Sequence, residues 1–283
     1  YRARAAPMLR RLNALHYQRL DAYQLPHDKH TLRWSAHSHS DESELRRWLI
    51  EGTDAGWVVR QELASMLPPH LLSPGADALV LDMCASPGSK TTQVGDIMQR
   101  RGSSSGAAIS GLIVANDADR LRSYTLAKRC AGLGDAAGSV LVTCHQAQRF
   151  PSTEHVAAGG YTHIICDVPC SGDGTTRKHF EVFKRWEPLM GLRHHSMQLA
   201  IAMRGAALLA VGGTMVYSTC SFNPIENESV VAELVRRCGG AIVIDDAHAP
   251  LADVLPTAPG LLTWRVLSST LEAHGDCATA RAA

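Results

Sequence analysis

Two cysteines in the sequence, Cys170 and Cys220, each stand in a polar turn shortly after an apolar run. A thiolate is a strong nucleophile, so a cysteine presented at the end of a strand can carry covalent catalysis. A single cysteine in such a turn is more often a small buried hydrophobic residue. Here Asp167 precedes Cys170 in the same turn, and a carboxylate beside a thiol is unusual in a purely structural turn. The two turns together therefore favour a catalytic pair.

Two further turns have the residue types of a site for an amino-acid or nucleotide ligand. The string DMCASPGSKT over residues 82–91 brings a Pro-Gly turn to the start of a helix, where backbone N–H groups can bind a carboxylate or a phosphate. It lacks the glycine spacing of dinucleotide sites and the first glycine of triphosphate-binding loops. The next turn contains Asp117, which we predict to bind ribose hydroxyls, and Asp119, which we predict to cap the following helix.

Alternating strands and helices must position these four turns. From residue 79 onwards, short apolar runs alternate with segments of helical length, which predicts an α/β fold with a doubly wound, mostly parallel sheet. In such a sheet the carboxyl ends of the strands meet at one edge, so the four turns should meet there too. We predict strands over Leu79–Met83, Leu112–Ala115, Val140–Thr143, His163–Cys166, Thr214–Ser218 and Ala241–Ile244. We predict helices over Gly88–Gln99, Asp119–Cys130, Leu189–Ala210 and Ile225–Arg237.

The first sixty residues have a different pattern. Met8 and four leucines between residues 9 and 20 form an apolar stripe at helical spacing, and a second amphipathic segment covers Ser43–Ile50. We therefore predict a small, mainly helical N-terminal region over residues 1–60 and a catalytic domain over residues 61–283.

Composition narrows the class of protein. The 283 residues, 45% apolar and 19% charged, are typical of a globular protein with a full core. No apolar run is long enough to cross a bilayer, so we expect no membrane contact. The eight cysteines are scattered and contain no Cys-x-x-Cys pair, which favours reduced thiols and no metal site. At a net charge of +1, any contact with nucleic acid must come from local basic patches.

The four turns, in their order and spacing, resemble a known family. The strings DMCASPGSKTTQ, ANDADR, CDVPCSGDGTTRK and MVYSTCSFNPIENE resemble the Sun-family (Nop/Sun) RNA cytosine-C5 methyltransferases over about Gly56–Arg237. The segments Arg60–Pro69 and Thr263–Arg265 further resemble the eukaryotic multisite tRNA methyltransferases of that family. The resemblance implies a Rossmann-like class I methyltransferase fold, S-adenosylmethionine as cofactor and RNA, tRNA above all, as substrate. We also expect a monomer, located in the nucleus, nucleolus or cytoplasm.

The resemblance also implies residue roles. In the family the Thr-Cys cysteine is the nucleophile, here Cys220, and the Pro-Cys cysteine, here Cys170, aids release of the product. Asp167 would hold the cytosine through N3 and the exocyclic amine, and Lys90 would assist at the pocket. The implied cofactor contacts are Cys84, Ala85, Ser86, Pro87, Gly88, Ser89, Lys90, Asp117 and Asp167.

One position departs from the family pattern. The family commonly carries an aspartate after the third strand, on the adenine side of the cofactor, and Gln146 takes that place here. A neutral hydrogen bond is worth about 1 kcal/mol, against about 1.5–3 kcal/mol for one to a charged acceptor. We therefore predict weaker cofactor binding rather than an inactive protein.

The sequence allows more than one set of RNA contacts and more than one function. The basic residues that flank the Cys170 turn can follow phosphates, and Trp186 or Phe183 can either stack on an unpaired base or lie in the core. These basic residues are Arg177, Lys178, Lys184, Arg185 and Arg193. DNA cytosine methyltransferases use the Pro-Cys cysteine as nucleophile, so a DNA substrate is one alternative. A non-catalytic RNA-binding scaffold with the same fold is another, whereas a nicotinamide oxidoreductase lacks its glycine fingerprint.

Overall fold

Nine strands and seven α-helices make up the part of the chain described by the computed structural model: residues 17–19, 32–34, 39–54, 61–104, 106, 108–152, 159–251, 257–267 and 272–274. The strands are β1 (Tyr17–Arg19), β2 (Leu32–Trp34), β3 (Leu79–Asp82), β4 (Leu112–Asn116), β5 (Val140–Thr143), β6 (Tyr161–Asp167), β7 (Leu209–Ser218), β8 (Val266–Leu267) and β9 (Ala273–His274). The helices are α1 (His39–Asp54), α2 (Leu63–Leu72), α3 (Ser89–Ser104), α4 (Arg120–Ala131), α5 (Phe180–Arg185), α6 (Met190–Leu208) and α7 (Glu228–Cys238).

The central sheet has five strands in the order β5-β4-β3-β6-β7, and every neighbouring pair is parallel. The chain winds outward from β3 to β5 on one side and from β6 to β7 on the other. The order therefore reverses between β3 and β6, and such a reversal opens a crevice at the carboxyl ends of the strands. The predicted doubly wound parallel sheet is confirmed, and the turns after β3 and β6 flank its crevice.

Both faces of the sheet are covered, which explains why its strands read as apolar runs rather than as alternating patterns. Successive residues of a strand point to opposite faces. Val80 packs in one buried cluster with Val94 and Met98 of α3. Its neighbour Leu81 packs in another cluster, which includes Ile201 of α6.

Two predicted elements after residue 208 differ from the structure. The chain turns from α6 into β7 at Leu209, earlier than predicted, and Gly212 adopts a φ of +78° before the regular pairing with β6 begins at Thr214. The strand predicted over Ala241–Ile244 is wrong, because no strand forms there and Val243 and Ile244 are exposed. An apolar run forms a strand only where a neighbouring strand pairs with it, and this run has none among the described residues.

The structure describes three segments of the predicted N-terminal region, residues 17–19, 32–34 and 39–54. Helix α1 contains the predicted segment Ser43–Ile50, but Tyr17–Arg19, at the end of the predicted stripe, forms strand β1 paired antiparallel with β2. The spacing of apolar residues within a segment gives no information about a strand elsewhere in the chain. Pairing with β2 decides the conformation of Tyr17–Arg19. The remainder of the stripe, residues 8–16 and 20, lies outside the described residues.

Candidate active site

The sulfur atoms of Cys170 and Cys220 lie 3.2 Å apart, although 50 residues separate the two cysteines in the sequence. Strands β6 and β7 bring them together, because Asp167 and Ser218 are paired at the last position of the parallel ladder. One further hydrogen bond, from the Val168 N–H to the Ser218 carbonyl (3.1 Å), keeps the two turns side by side beyond the sheet. The structure therefore places both predicted cysteines at one point of the sheet edge.

The contact between the two sulfurs shifts their pKa values in opposite directions. The hydrogen bond from the Cys170 thiol lowers the pKa of Cys220 to about 7; the charge of Lys90 also lowers it, while burial and the charge of Asp167 oppose the shift. The same bond, together with burial, raises the pKa of Cys170 well above its usual value. A hydrogen bond to a thiolate stabilises the ionised form. Of the two sulfurs, Cys220 therefore ionises first, and Cys170 is the donor to the thiolate that forms.

Lys90 and Asp167 form an ion pair beside the cysteines. The Lys90 Nζ lies 2.6 Å from the Asp167 Oδ2 and also donates to the Ser65 hydroxyl (3.2 Å). The second carboxylate oxygen, Oδ1, accepts from the Ser218 hydroxyl at 2.8 Å. The Asp167 side chain keeps 31% of its surface exposed, so the carboxylate is oriented on two sides and still accessible.

The Pro-Gly turn and the turn after β4 are bound to each other. The Asp117 carboxylate accepts from the Ser86 N–H (3.2 Å) and from the Asp119 N–H (3.0 Å). Gly88 has a φ of +96°, and a Cβ there would lie 3.0 Å from the Leu126 side chain. Glycine therefore lets this turn pack closely against α4. Asp119 accepts from the Arg122 N–H at 2.9 Å, which confirms that it caps α4.

One carboxylate oxygen at this turn lacks a hydrogen-bond partner within the part of the chain that the structure describes. Asp82 is buried, its Oδ2 accepts from the Thr91 hydroxyl (2.7 Å), and its Oδ1 has no hydrogen-bond partner among the described residues. Burial raises the pKa of Asp82 to about 7. A buried acceptor without a donor is unfavourable unless a ligand supplies one. Together with the backbone N–H groups at the start of α3, it fits a ligand that carries both a cationic amino group and a carboxylate.

The other predicted cofactor contacts lie at the same edge. Burial raises the pKa of the Cys84 thiol well above its usual value, so Cys84 is a neutral, packed residue. Gln146 follows β5 with an exposed side chain. The backbone beside it is fixed by Asn116, whose amide donates to the carbonyls of Met83 (3.0 Å) and His145 (2.9 Å). Asn116 thus joins the ends of three strands, a role that the sequence analysis missed.

The groups that join the two cysteine turns were not predicted from the sequence. The Gly174 N–H donates to the Cys220 carbonyl (3.0 Å), and the Asp173 carboxylate accepts from the Phe222 N–H (2.8 Å). Glu226 is fully buried between the turns. The predicted helix over Ile225–Arg237 would have placed Glu226 in an exposed first turn, but α7 begins only at Glu228. The available signal was the run of polar residues in NPIENE, directly after the Cys220 turn.

Exposed aromatic and basic residues follow the two cysteine turns in the sequence. Phe180 and Phe183 are both exposed and stacked, with ring centroids 5.8 Å apart, and the Lys184 Nζ lies 5.5 Å from the Phe180 centroid. Trp186, at 41%, and Phe222, at 78%, are exposed as well. A core role for Phe183 or Trp186 therefore does not hold. Several of these basic residues are paired with carboxylates, namely Lys178 with Glu62, Lys184 with Glu181 and Arg193 with Glu187.

Neither a metal site nor a membrane-spanning helix occurs in the described ranges given above. Those residues contain no group of three or more histidine, cysteine, aspartate or glutamate side chains that could hold a metal ion. None of the helices described there has the length and apolar character needed to span a bilayer.

A family model and several known proteins match this chain. The family model for 16S rRNA methyltransferase RsmB/F matches residues 69–248. The multisite-specific tRNA:(cytosine-C(5))-methyltransferase trm4b of Schizosaccharomyces pombe is 38% identical over 249 residues, covering 80% of this chain and 36% of its own. Its counterpart in Saccharomyces cerevisiae is 40% identical over 236 residues, covering 81% and 34%. A crystal structure of a methyltransferase homolog from Pyrococcus horikoshii matches with a TM-score of 0.58 and 26% identity, over 82% of this chain and 65% of that one.

The matched region contains the four turns that carried the resemblance. Residues 69–248 include the cofactor-type turns, both cysteines and the ion pair between Lys90 and Asp167. The chain spans between 31% and 36% of the length of the first curated relatives it matches. The family model covers more than half of this chain, and the predicted Sun-family resemblance is confirmed. This chain belongs to the RsmB/F family of RNA methyltransferases.

Proposed function

We propose that this chain transfers a methyl group from S-adenosylmethionine to C5 of cytosine in RNA, with tRNA as the substrate class. The observation that carries the proposal is the contact between Cys170 and Cys220, 3.2 Å apart at the sheet edge that also holds the Pro-Gly turn. The names of the tRNA cytosine-C5 methyltransferases among its relatives support the same reaction and substrate.

Cys220 is the proposed nucleophile. C5 of cytosine is a weak nucleophile, so the ring must be activated before it can accept a methyl cation equivalent. The Cys220 thiolate forms a C–S bond to C6, and the displaced electron pair makes C5 nucleophilic. S-adenosylmethionine, when bound, supplies an electrophilic methyl group. Loss of the C5 proton to a base then restores the C5–C6 double bond and expels the Cys220 thiolate.

Cys170 is assigned to the release of the product. Its sulfur lies 3.2 Å from the Cys220 sulfur and can donate to the Cys220 thiolate, which lowers the pKa of Cys220 and raises that of Cys170. The same donor can stabilise the thiolate that leaves C6 when the C–S bond breaks. Without it, the leaving group is poorer and the covalent adduct persists longer.

Asp167 and Lys90 are assigned to the cytosine. The accessible Asp167 carboxylate accepts from the exocyclic amine, and a proton taken up from solvent lies between the carboxylate and N3. That proton offsets the negative charge that the thiolate brings into the ring when it adds to C6. Lys90, at 2.6 Å, orients that carboxylate and adds a positive charge beside Cys220. The exposed aromatic rings Phe183, Trp186 and Phe222 are suited to stack on unpaired bases of the RNA.

The cofactor is assigned to the two joined turns and to the end of β5. The unpartnered Asp82 Oδ1 fits its amino group, and the backbone at the start of α3 fits its carboxylate. Asp117 is assigned to the ribose and Gln146 to the adenine. The remaining assigned contacts are Cys84, Ala85, Ser86, Pro87, Gly88, Ser89, Lys90 and Asp167.

The proposed function is tested by methyl transfer to defined nucleic acids. The purified chain is incubated with tritium-labelled S-adenosylmethionine and either unmodified tRNA transcripts or DNA of the same sequence. We expect label in the RNA alone, at cytosines that become resistant to bisulfite conversion. Label in DNA contradicts the substrate assignment. Binding of tRNA and cofactor without any transfer supports the non-catalytic scaffold, the alternative to which Gln146 and the net charge of +1 point.

The position of Gln146 gives a prediction for cofactor affinity. Gln146→Asp supplies a charged acceptor to the adenine amino group, so we expect binding of S-adenosylmethionine to tighten by about fivefold. Isothermal titration calorimetry at neutral pH measures the change. Gln148→Asp, two residues along the same turn, adds the same charge and serves as the control. Equal affinities of the Gln146→Asp variant and the unmodified protein contradict the adenine assignment.

A further inference from the structure

Glu226 is a fully buried carboxylate to which neither the cofactor site nor the cytosine site assigns a role. Its Oε1 accepts from the Ser171 N–H (2.9 Å) and from the Gln198 amide (3.0 Å). Its Oε2 accepts from the Ser221 hydroxyl (2.7 Å) and from the Ser171 hydroxyl. Burying an ionised carboxylate is unfavourable unless several donors replace the lost water, and these donors do so.

The donors connect Glu226 to both sulfur atoms through the chain. Ser171 follows Cys170 directly, and Ser221 follows Cys220 directly. Gln198, on α6, also donates to the carbonyl of Pro169, the residue before Cys170 (2.9 Å). One carboxylate thus holds the two turns together at the residues next to the cysteines. Hydrogen bonds to a charged acceptor are shorter and stronger than neutral ones, so they hold these residues firmly.

The other groups near this carboxylate do not replace it. The His194 Nδ1 lies 3.9 Å from the Glu226 Oε1. It is only 2.9 Å from the Met190 carbonyl, to which it can donate. The hydroxyl of Tyr217 donates to the backbone carbonyl of Glu226 (2.6 Å) rather than to its side chain. Both contacts come from elements that flank the cysteine turns, not from the turns themselves. The Ser171 and Ser221 hydroxyls also lie 3.1 Å from each other. Each hydroxyl has one proton, and when both protons go to the Glu226 Oε2 none is left for a bond between the two serines. The link between Ser171 and Ser221 then runs through the carboxylate.

We propose that Glu226 is a positioning residue, which keeps the Cys170 thiol within hydrogen-bond distance of Cys220 and so sets the reactivity of the nucleophile. The proposal rests on the proposed function in assigning Cys220 as the nucleophile. Glu226 itself is buried away from solvent and acts only through Ser171, Ser221 and Gln198.

The substitution Glu226→Gln tests this role with little change in volume. An amide has one acceptor oxygen, and its NH₂ group must face donors that the carboxylate now accepts from. We expect the two turns to separate, which weakens the bond from Cys170 to Cys220. The charges facing Cys220, on Lys90 and Asp167, remain. The pKa of Cys220 should then rise from about 7 towards the ordinary thiol value, which is about 8.5.

The readout is the pH dependence of Cys220 alkylation by iodoacetamide, followed by mass spectrometry of the Cys220 peptide. Only the thiolate reacts, so the rate rises with pH through the pKa of Cys220. We expect a midpoint near 7 in the unmodified protein, and a midpoint higher by about one pH unit or more in Glu226→Gln. Glu226→Asp keeps the charge and should lie between them. Glu233→Gln removes a carboxylate on α7 that contacts Arg236 and Arg237 instead of the cysteine turns, and should leave the midpoint unchanged.

Methylation kinetics give the second readout. In Glu226→Gln we expect kcat for tRNA methylation to fall by about tenfold or more while KM changes by less than about twofold, because Glu226 does not touch the RNA. An unchanged alkylation midpoint overturns the proposal, whatever happens to the melting temperature. If the midpoint shifts in Glu226→Gln but the unmodified protein methylates no RNA, the positioning role is supported and the proposed function is refuted. If Glu226→Gln does not fold, Ser171→Ala and Ser221→Ala each remove one donor and must each raise the midpoint.

Discussion

Replacing Cys220 with serine is expected to abolish methyl transfer to tRNA and to prevent any covalent protein–RNA complex. A serine hydroxyl is not ionised near neutral pH, whereas the Cys220 thiol forms a thiolate at about pH 7. Because the adduct must form before C5 can react, we expect transfer to fall by more than about 10³-fold. Tritium transfer measures the loss, and a denaturing gel with tRNA that contains 5-fluorocytosine tests for the adduct. Such tRNA traps the adduct because C5 carries no proton to lose.

Cys170→Ala is expected to give the opposite result in the gel. Cys220 remains, so the adduct still forms, but the donor that assists its departure from C6 is gone. We therefore expect a protein–RNA complex that accumulates even with ordinary tRNA, together with slow turnover. The loss of the same donor raises the pKa of Cys220, so adduct formation should need a higher pH than in the unmodified protein. Its rate should increase from pH 7 to pH 9, where a thiol with a pKa of about 8.5 ionises.

The pair of variants separates two chemistries. If Cys170 were the nucleophile, as in the DNA enzymes, the adduct would vanish in Cys170→Ala and survive in Cys220→Ser. Loss of the adduct in both variants would mean that the 3.2 Å contact itself, rather than either thiol alone, is required for attack. Cys238→Ala, at the end of α7 and outside both turns, controls for the loss of a thiol and should retain activity.

The sequence predicts the meeting of the two cysteines because of one property of parallel sheets. Strands β6 and β7 are adjacent and parallel, so residues that follow them leave at the same edge. The cap of α4 by Asp119 is also predictable, because an aspartate directly before a helix accepts from the first N–H groups of that helix. Both predictions depend on residues that directly precede or follow a strand or a helix.

Other features depend on contacts between distant residues, which no local pattern reports. Glu226 is buried because the chain delays α7 until Glu228 and turns back onto Ser171 and Ser221. The run Ala241–Ile244 has the composition of a strand but no described neighbour to pair with. Strand β1 forms because Tyr17 pairs with Trp34. In all three cases a partner elsewhere in the chain decides the local structure. The residues of the segment itself do not indicate whether that partner is present.

The close approach of the two cysteine turns makes Gly174 sensitive to a single methyl group. The Gly174 N–H donates to the Cys220 carbonyl at 3.0 Å, and a Cβ at position 174 would lie 2.7 Å from that same oxygen. Backbone atoms cannot rotate away as a flexible side chain does, so Gly174→Ala must move one turn relative to the other. A displacement of about 1 Å in a catalytic group can lower the rate by about 10²-fold. We expect a loss of that order in kcat for tRNA methylation.

The cofactor site should not feel this change, since the turns that contain Asp117 and Gly88 lie on other strands. Isothermal titration of S-adenosylmethionine into Gly174→Ala is therefore expected to give the affinity of the unmodified protein. Gly138→Ala is the matched control, because a Cβ at Gly138 would meet nothing within 4 Å. Full activity in Gly174→Ala would show that the turns tolerate separation, and the positions of Cys170 and Cys220 would then be too loosely held for the 3.2 Å contact to set the acidity of the nucleophile.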